Sequence, residues 1–167
     1  MSDTSRPLYT PEQRQRRDAT PWTLVQAILA PLQFLVFLVS LALVLHYLRT
    51  GEGAQAATLS VVVKTFVLYT IMVTGAIWEK VVFGRYLFAP AFFWEDVVSM
   101  GVLALHTAYL AALITGAIPL QEQMLLALAA YAAYVINAAQ FVLKLRAARR
   151  IGRIEHVSSP ASAGYAR

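Results

Sequence analysis

Three carboxylates bracket one apolar, aromatic stretch of the chain: Glu79 near its start, Glu95 and Asp96 at its end. The stretch, WEKVVFGRYLFAPAFFWED (78–96), also carries Lys80 and Arg85. It is too apolar for a solvated loop and too charged for a membrane span, and it reads as a re-entrant or interfacial segment. An ionisable group inside a membrane costs about 2.5–3.5 kcal/mol on insertion scales and is by default a functional candidate. Carboxyl groups crowded in a low dielectric hold their protons tightly, which suits a general acid. A plainer reading stands beside this one. Aromatic belts mark membrane–water boundaries, and Glu79-Lys80 is then an interfacial pair.

Helical spacing extends the polar face inward. At 100° per residue, Glu95, Ser99, His106 and Tyr109 share one face, as do Glu79, Gly75, Met72 and Leu68. Tyr134, Asn137, Phe141 and Lys144 form a third stripe, and Gln26 and Gln33 a fourth beside Pro31, which is expected to kink its helix. These stripes are expected to face the interior of a bundle. His106 lies about 15 Å below Asp96 at 1.5 Å per residue. A lone membrane histidine serves as a hydrogen-bonding helix linker. It serves equally as a neutral imidazole ligand for a metal or a metallated macrocycle. His46 falls at an interface, and Lys64 is expected to snorkel from a span end.

The elements that must position these groups are membrane helices. The 167 residues are 59% hydrophobic and only 14% charged, with no cysteine. Mean hydropathy is +0.59. A soluble domain typically has about 25% charged residues, so a soluble globule, a disordered chain, a disulfide scaffold and Cys-ligated metal sites are all disfavoured. Four segments reach the roughly 20 apolar residues that a bilayer needs: about 22–47, 57–78, 97–115 and 124–143. The fold class expected is an all-α integral membrane protein of four transmembrane helices, with the aromatic and acidic segment joining the second and third. Residues 1–21 form a polar tail without a cleavage pattern, so the first span is expected to be retained. Residues 144–167 form a second tail, basic at first and expected to be mobile from about Gly152.

Lys and Arg set the orientation. Arg6, Arg14, Arg16 and Arg17 precede the first span, Lys80 and Arg85 sit between the second and third, and Lys144, Arg146, Arg149, Arg150 and Arg153 follow the fourth. The other two connections carry only Arg49. Both tails and the middle connection are therefore expected in the cytoplasm of a bacterial inner membrane. The net charge of +5 is explained by this arrangement, and no nucleic-acid partner is expected. Phosphate loops, paired-histidine metal motifs and haem-attachment motifs are absent from the sequence.

The string WEKVVFGRYLFAPAFFWEDVVSM followed by LALHTAYL resembles the 3-vinyl bacteriochlorophyllide hydratase family of bacteriochlorophyll biosynthesis. The resemblance runs from about Leu8 to Arg150 and includes YTPEQRQRRDATPW and NAAQFVLKLRAAR. It implies addition of water across the ring-A vinyl group of a chlorophyllide, without a redox cofactor and with magnesium arriving inside the substrate. Catalytic roles are assigned on chemistry alone. Protonating the terminal vinyl carbon places the cation beside the macrocycle, so an acid and a held water are needed. Glu95 is favoured as the acid because its face continues to Ser99 and His106. Asp96 or Glu79 is favoured for the water. Trp78, Tyr86, Phe92, Phe93 and Trp94, with Phe83 and Phe88, are expected to stack on the pigment. Ser99 and Asn137 line the same faces. His106 is the candidate axial ligand of the pigment magnesium, and Lys80, Arg85 or Lys144 would meet the propionate. The alternatives are a non-catalytic pigment scaffold or assembly factor, which would not need the acids, and a small transporter. Membrane lipid, other pigment-biosynthesis enzymes and a second copy of the chain are the further partners considered.

Overall fold

The computed structural model describes residues 7–158. Five helices follow one another: α1 (Pro11–Ala19), α2 (Pro21–Thr50), α3 (Ala54–Phe83), α4 (Phe93–Thr115) and α5 (Leu120–Ser158). No strand occurs among the described residues. Four of the helices, α2 to α5, are long and apolar enough to cross a membrane, matching the four-span expectation. Each is longer than its apolar run suggests; Gly51, Gly53, Gly84 and Gly116 flank the ends of α2, α3 and α4. The segment Trp78–Phe83 is thus the last part of α3, and Glu95 and Asp96 lie in the first turn of α4. Only residues 84–92 are irregular, so the connection is a short link and not a re-entrant element. At the other end, α5 runs on through the basic segment and past Gly152 to Ser158. The rest of the expected mobile tail, 159–167, lies outside the described residues.

The first helix, α1, lies within the polar segment that precedes the first span. Its start is a capping box: Gln13 N–H donates to Thr10 Oγ1 at 3.2 Å, and Thr10 N–H donates to Gln13 Oε1 at 2.9 Å. Each satisfies an amide that the first turn would leave without a partner, and Pro11 fits where no amide is needed. At the start of α2, Thr20 Oγ1 accepts from Trp22 N–H at 3.4 Å and Pro21 opens the helix.

The long helices pair in sequence, α2 on α3 and α4 on α5, with α2 also packed on α5. By comparison, α3 and α4 approach one another sparsely. Burial follows the apolar stripes: Phe37 and Val44 of α2, Val61 and Leu68 of α3, Val102 and Tyr109 of α4, and Met124, Ala127, Tyr131 and Tyr134 of α5 make one core. Large apolar residues such as Leu35, Val39, Phe66, Val73 and Ile136 point outward, as a lipid-facing surface requires. Side-chain bonds pin the helices where hydrocarbon cannot drive association. Ser40 Oγ bonds both Ser60 Oγ at 2.7 Å and Tyr131 Oη at 2.5 Å, Gln26 Nε2 donates to Thr74 Oγ1 at 2.7 Å, and the Tyr69 and Thr107 hydroxyls meet at 2.7 Å.

A second, smaller core closes the end of the bundle where α3 passes to α4. Tyr9, Val82 and Phe92 are buried there against Trp78, Phe83 and Phe141. Tyr9 stacks on Phe83 with ring centroids 5.7 Å apart, and Phe92 stacks on Phe141 at 5.8 Å. Burial pushes the Tyr9 phenol above its ordinary value, although Arg17, 4.8 Å over its ring, opposes the shift.

Candidate active site at the α3–α4 link

The link is built to bring two carboxyl groups together. Gly84 ends α3 at φ +82°, donating its N–H to Lys80 O at 3.0 Å. The chain then turns back over the helix end, and Phe92 N–H closes a turn on Ala89 O at 2.8 Å before α4 begins. Between these points, Phe88 adopts φ +59° and is the only non-glycine with positive φ among the described residues. Its N–H donates to Asp96 Oδ2 at 2.7 Å. The next amide, Ala89 N–H, donates to Glu79 Oε2 at 3.3 Å. Glu79 and Asp96 are 6% and 4% exposed, and the two consecutive amides gather them at one place. Two carboxyl groups gathered by neighbouring amides away from water can share one proton between them.

Glu95, the expected acid, is engaged elsewhere. Its Oε2 meets Lys144 Nζ at 2.5 Å, with side-chain exposures of 9% and 28%. Its backbone oxygen accepts from Ser99 Oγ at 2.8 Å and from Asn137 Nδ2 at 2.9 Å. Ser99 Oγ also reaches Asn137 Oδ1 at 3.1 Å. The stripes on α4 and α5 therefore do converge, as spacing indicated, but they converge to fasten α4 to α5. Lys144 is thereby committed to Glu95 and lies 5.2 Å over the Phe92 ring, not free toward a ligand.

The aromatics divide into two sets. Trp78 and Phe92 belong to the inner core: Trp78 Nε1 donates to Thr23 Oγ1 at 2.9 Å, and the Trp78 ring meets Phe83 and Phe92 edge to face. They are consumed by packing. Tyr86, Phe88, Phe93 and Trp94 stand outside, 60%, 36%, 43% and 68% exposed. Phe93 touches both Phe88 and Trp94, at centroid distances of 5.8 and 5.4 Å. This outer platform adjoins the two buried carboxyl groups through Phe88. Lys80 lies beside it, donating to Gly84 O and sitting 5.3 Å from the Tyr86 ring. Arg85 is exposed.

His106 is fully buried on the polar stripe of α4, a little past the middle of that helix. Its Nδ1 lies 2.8 Å from Val102 O and acts there as the donor, while Nε2 has no partner. That is the state a metal ligand needs, yet the ring is enclosed and packs against Tyr131 at 5.9 Å. Lys64 does not snorkel. It shares the inward face of α3 with Val61 and Leu68, is fully buried, and holds Nζ 3.8 Å over the Tyr134 ring.

Sequence reasoning missed the two backbone amides, Tyr9 and α1. Thr10-Pro11-Glu12-Gln13 was the available signal for the helix. The amides of Phe88 and Ala89 leave no residue-type signal at all.

The model of the family described as 2-vinyl bacteriochlorophyllide hydratase matches residues 9–147. The chain is 75% identical over 142 residues to the 2-vinyl bacteriochlorophyllide hydratase of Rhodobacter capsulatus, covering 85% of this chain and 82% of that one. It is 76% identical over 144 residues to the protein of the same name from Cereibacter sphaeroides, covering 86% of this chain and 89% of that one. No solved structure matches.

Proposed function

The chain belongs to the 2-vinyl bacteriochlorophyllide hydratase family, and from that premise we propose that the Glu79–Asp96 pair carries out the hydration. The names 2-vinyl and 3-vinyl denote the same ring substituent. The protein is a hydro-lyase that adds water to this vinyl group in bacteriochlorophyll biosynthesis. The single observation that carries the residue assignment is the pair of buried carboxyl groups, each held by one of two consecutive amides.

Asp96 is the anion of the pair. It takes the shorter amide bond, and it stands in the first turn of α4, where the helix dipole favours negative charge. Glu79 stands near the C-terminal end of α3, where the dipole opposes an anion, and takes the longer bond. Glu79 therefore carries the proton. It delivers that proton to the terminal vinyl carbon, and the positive charge forms on the carbon joined to the macrocycle, where conjugation spreads it. A water held by Asp96 attacks this carbon, and Asp96 takes the water's proton. The C=C bond is replaced by one C–H and one C–O bond, giving the hydroxyethyl group. The proton gained by Asp96 then passes to Glu79 and resets the pair. No redox cofactor enters, and magnesium comes with the substrate. Two carboxyl groups in opposite protonation states divide the acid and base roles at one pH.

The pigment lies on the outer platform of Tyr86, Phe88, Phe93 and Trp94, with Arg85 and Lys80 toward its propionate. Glu95 and Lys144 act as a brace between α4 and α5. His106 is enclosed away from the platform, so its place in this reading is interhelical. In this reading both tails and the α3–α4 link are cytoplasmic and the helices cross the bacterial inner membrane; the excess of Lys and Arg on those segments supports the orientation. The test is hydration in heavy water by purified protein. Deuterium is expected at the new methyl group with the wild type. Glu79→Gln and Asp96→Asn should bind pigment yet form almost no product. Near wild-type turnover in both variants refutes the assignment.

A further inference from the structure

We infer that Phe88 is a positioning residue for the hydration, whose left-handed backbone aims two successive amides at the two reacting carboxyl groups. This rests on the Glu79–Asp96 reading above and adds what sets the geometry of that pair.

Bulky residues seldom adopt positive φ, and where one persists the surrounding structure must hold it there. Phe88 is held from both sides. Ala89, directly after it, is fully buried, and Pro90 follows. Its own ring packs on Phe93. At φ +59° the N–H groups of Phe88 and Ala89 both face the helix ends, a concavity suited to anionic oxygens. An extended conformation at this position would turn the two peptide planes apart, and only one carboxyl group would keep its donor. The unequal distances, 2.7 Å to Asp96 and 3.3 Å to Glu79, follow from this one backbone conformation. The stronger donor fixes Asp96 as acceptor and leaves Glu79 free to hold the proton. The side chain of Phe88 does something separate: it belongs to the exposed platform and contributes to holding the pigment. Backbone and ring thus act on different kinetic constants.

Substitutions separate the two. Phe88→Gly, Phe88→Ala and Phe88→Val all remove the ring, but only glycine takes positive φ freely and a β-branched residue resists it most. The experiment measures kcat, KM and the pH profile of kcat/KM for each full-length variant, purified in detergent, with the vinyl pigment. All three should raise KM by a similar factor. Phe88→Gly should show the smallest loss of kcat of the three and the smallest displacement of the pH profile. Phe88→Val should lose about 10²-fold in kcat, the loss expected for misplaced catalytic groups, with a displaced pH profile. Phe88→Ala should fall between them, and this comparison alone decides the matter if the valine variant does not fold. Equal kcat in the glycine and the β-carbon-bearing variants overturns the inference, as does a loss of kcat with an unmoved pH profile, which a purely structural role would give. If Glu79→Gln and Asp96→Asn are inactive while the Phe88 series shows no such order, only the role of Phe88 fails. If those two variants are active, the acid-pair reading itself fails.

Discussion

Replacing Glu95 by glutamine separates the role that helical spacing suggested from the role the structure gives it. The substitution keeps the volume and removes the charge facing Lys144 Nζ at 2.5 Å. Breaking a fully buried ion pair costs about 3–5 kcal/mol because the remaining charge is stranded. Here Lys144 keeps 28% of its side-chain surface and can turn to water, so about 1–3 kcal/mol is expected, nearer the cost of an unmet hydrogen bond to a charge. Ser99 and Asn137 bond the backbone oxygen of Glu95, and those contacts survive. A chain of this size loses roughly 2–4 °C per kcal/mol, so the thermal midpoint in detergent should drop by about 2–12 °C. Turnover at a permissive temperature should stay within about tenfold of wild type. Glu79→Gln, by contrast, should lose the 10²–10⁴-fold typical of a missing general acid, with little change in midpoint, because the glutamine amide oxygen still accepts from Ala89 N–H. The double variant Glu95→Leu/Lys144→Met should recover much of the stability lost by either single change. A Glu95→Gln protein of unchanged midpoint that has lost 10²-fold or more in turnover would show that Glu95 is the acid and that the brace is incidental.

Three further outcomes follow from the same geometry. Reporter fusions at Gly51 and Pro119 should report the compartment opposite to a fusion at the C-terminus, and one shared compartment refutes the four-span topology. His106→Ala should weaken magnesium and metal-free pigments equally in a binding titration, since the ring is enclosed; a larger loss for the magnesium form would place the pigment inside the bundle with Nε2 on its metal. Tyr9→Ala removes a ring buried between Phe83 and Phe92 and should lower stability by about 2–4 kcal/mol, read from the unfolding midpoint, whereas Tyr9→Phe keeps the stacking and should cost far less.

Hydropathy and spacing made much of this legible. The apolar runs located α2 to α5, because lipid admits few alternatives to a helix. The stripe Glu95–Ser99–His106–Tyr109 is buried throughout, and the convergence of Asn137 and Lys144 on it follows from periodicity. What spacing could not reveal was partner choice. Glu95 and Asp96 are neighbours in sequence, yet one turns to α5 and the other to α3, because 100° of helix rotation separates them. The burial of Lys64 depended on which face of α3 meets Tyr134, and the backbone of Phe88 on the closure of the whole link. These are tertiary outcomes that residue types leave open.

The small aromatic core under the link also imposes an order on assembly. Tyr9 leaves the ribosome long before Phe141 is made, yet it rests on Phe83 and Phe92, and Phe92 rests on Phe141 in α5. The plug thus joins residues separated by most of the chain, and its contacts cannot close until α5 has been inserted. An unfinished or truncated chain leaves this end unsealed, with Trp78 and Phe83 uncovered. This end of the bundle is complete only once α5 is in place, so its closure is coupled to insertion of α5 through contacts that link Tyr9 to Phe141.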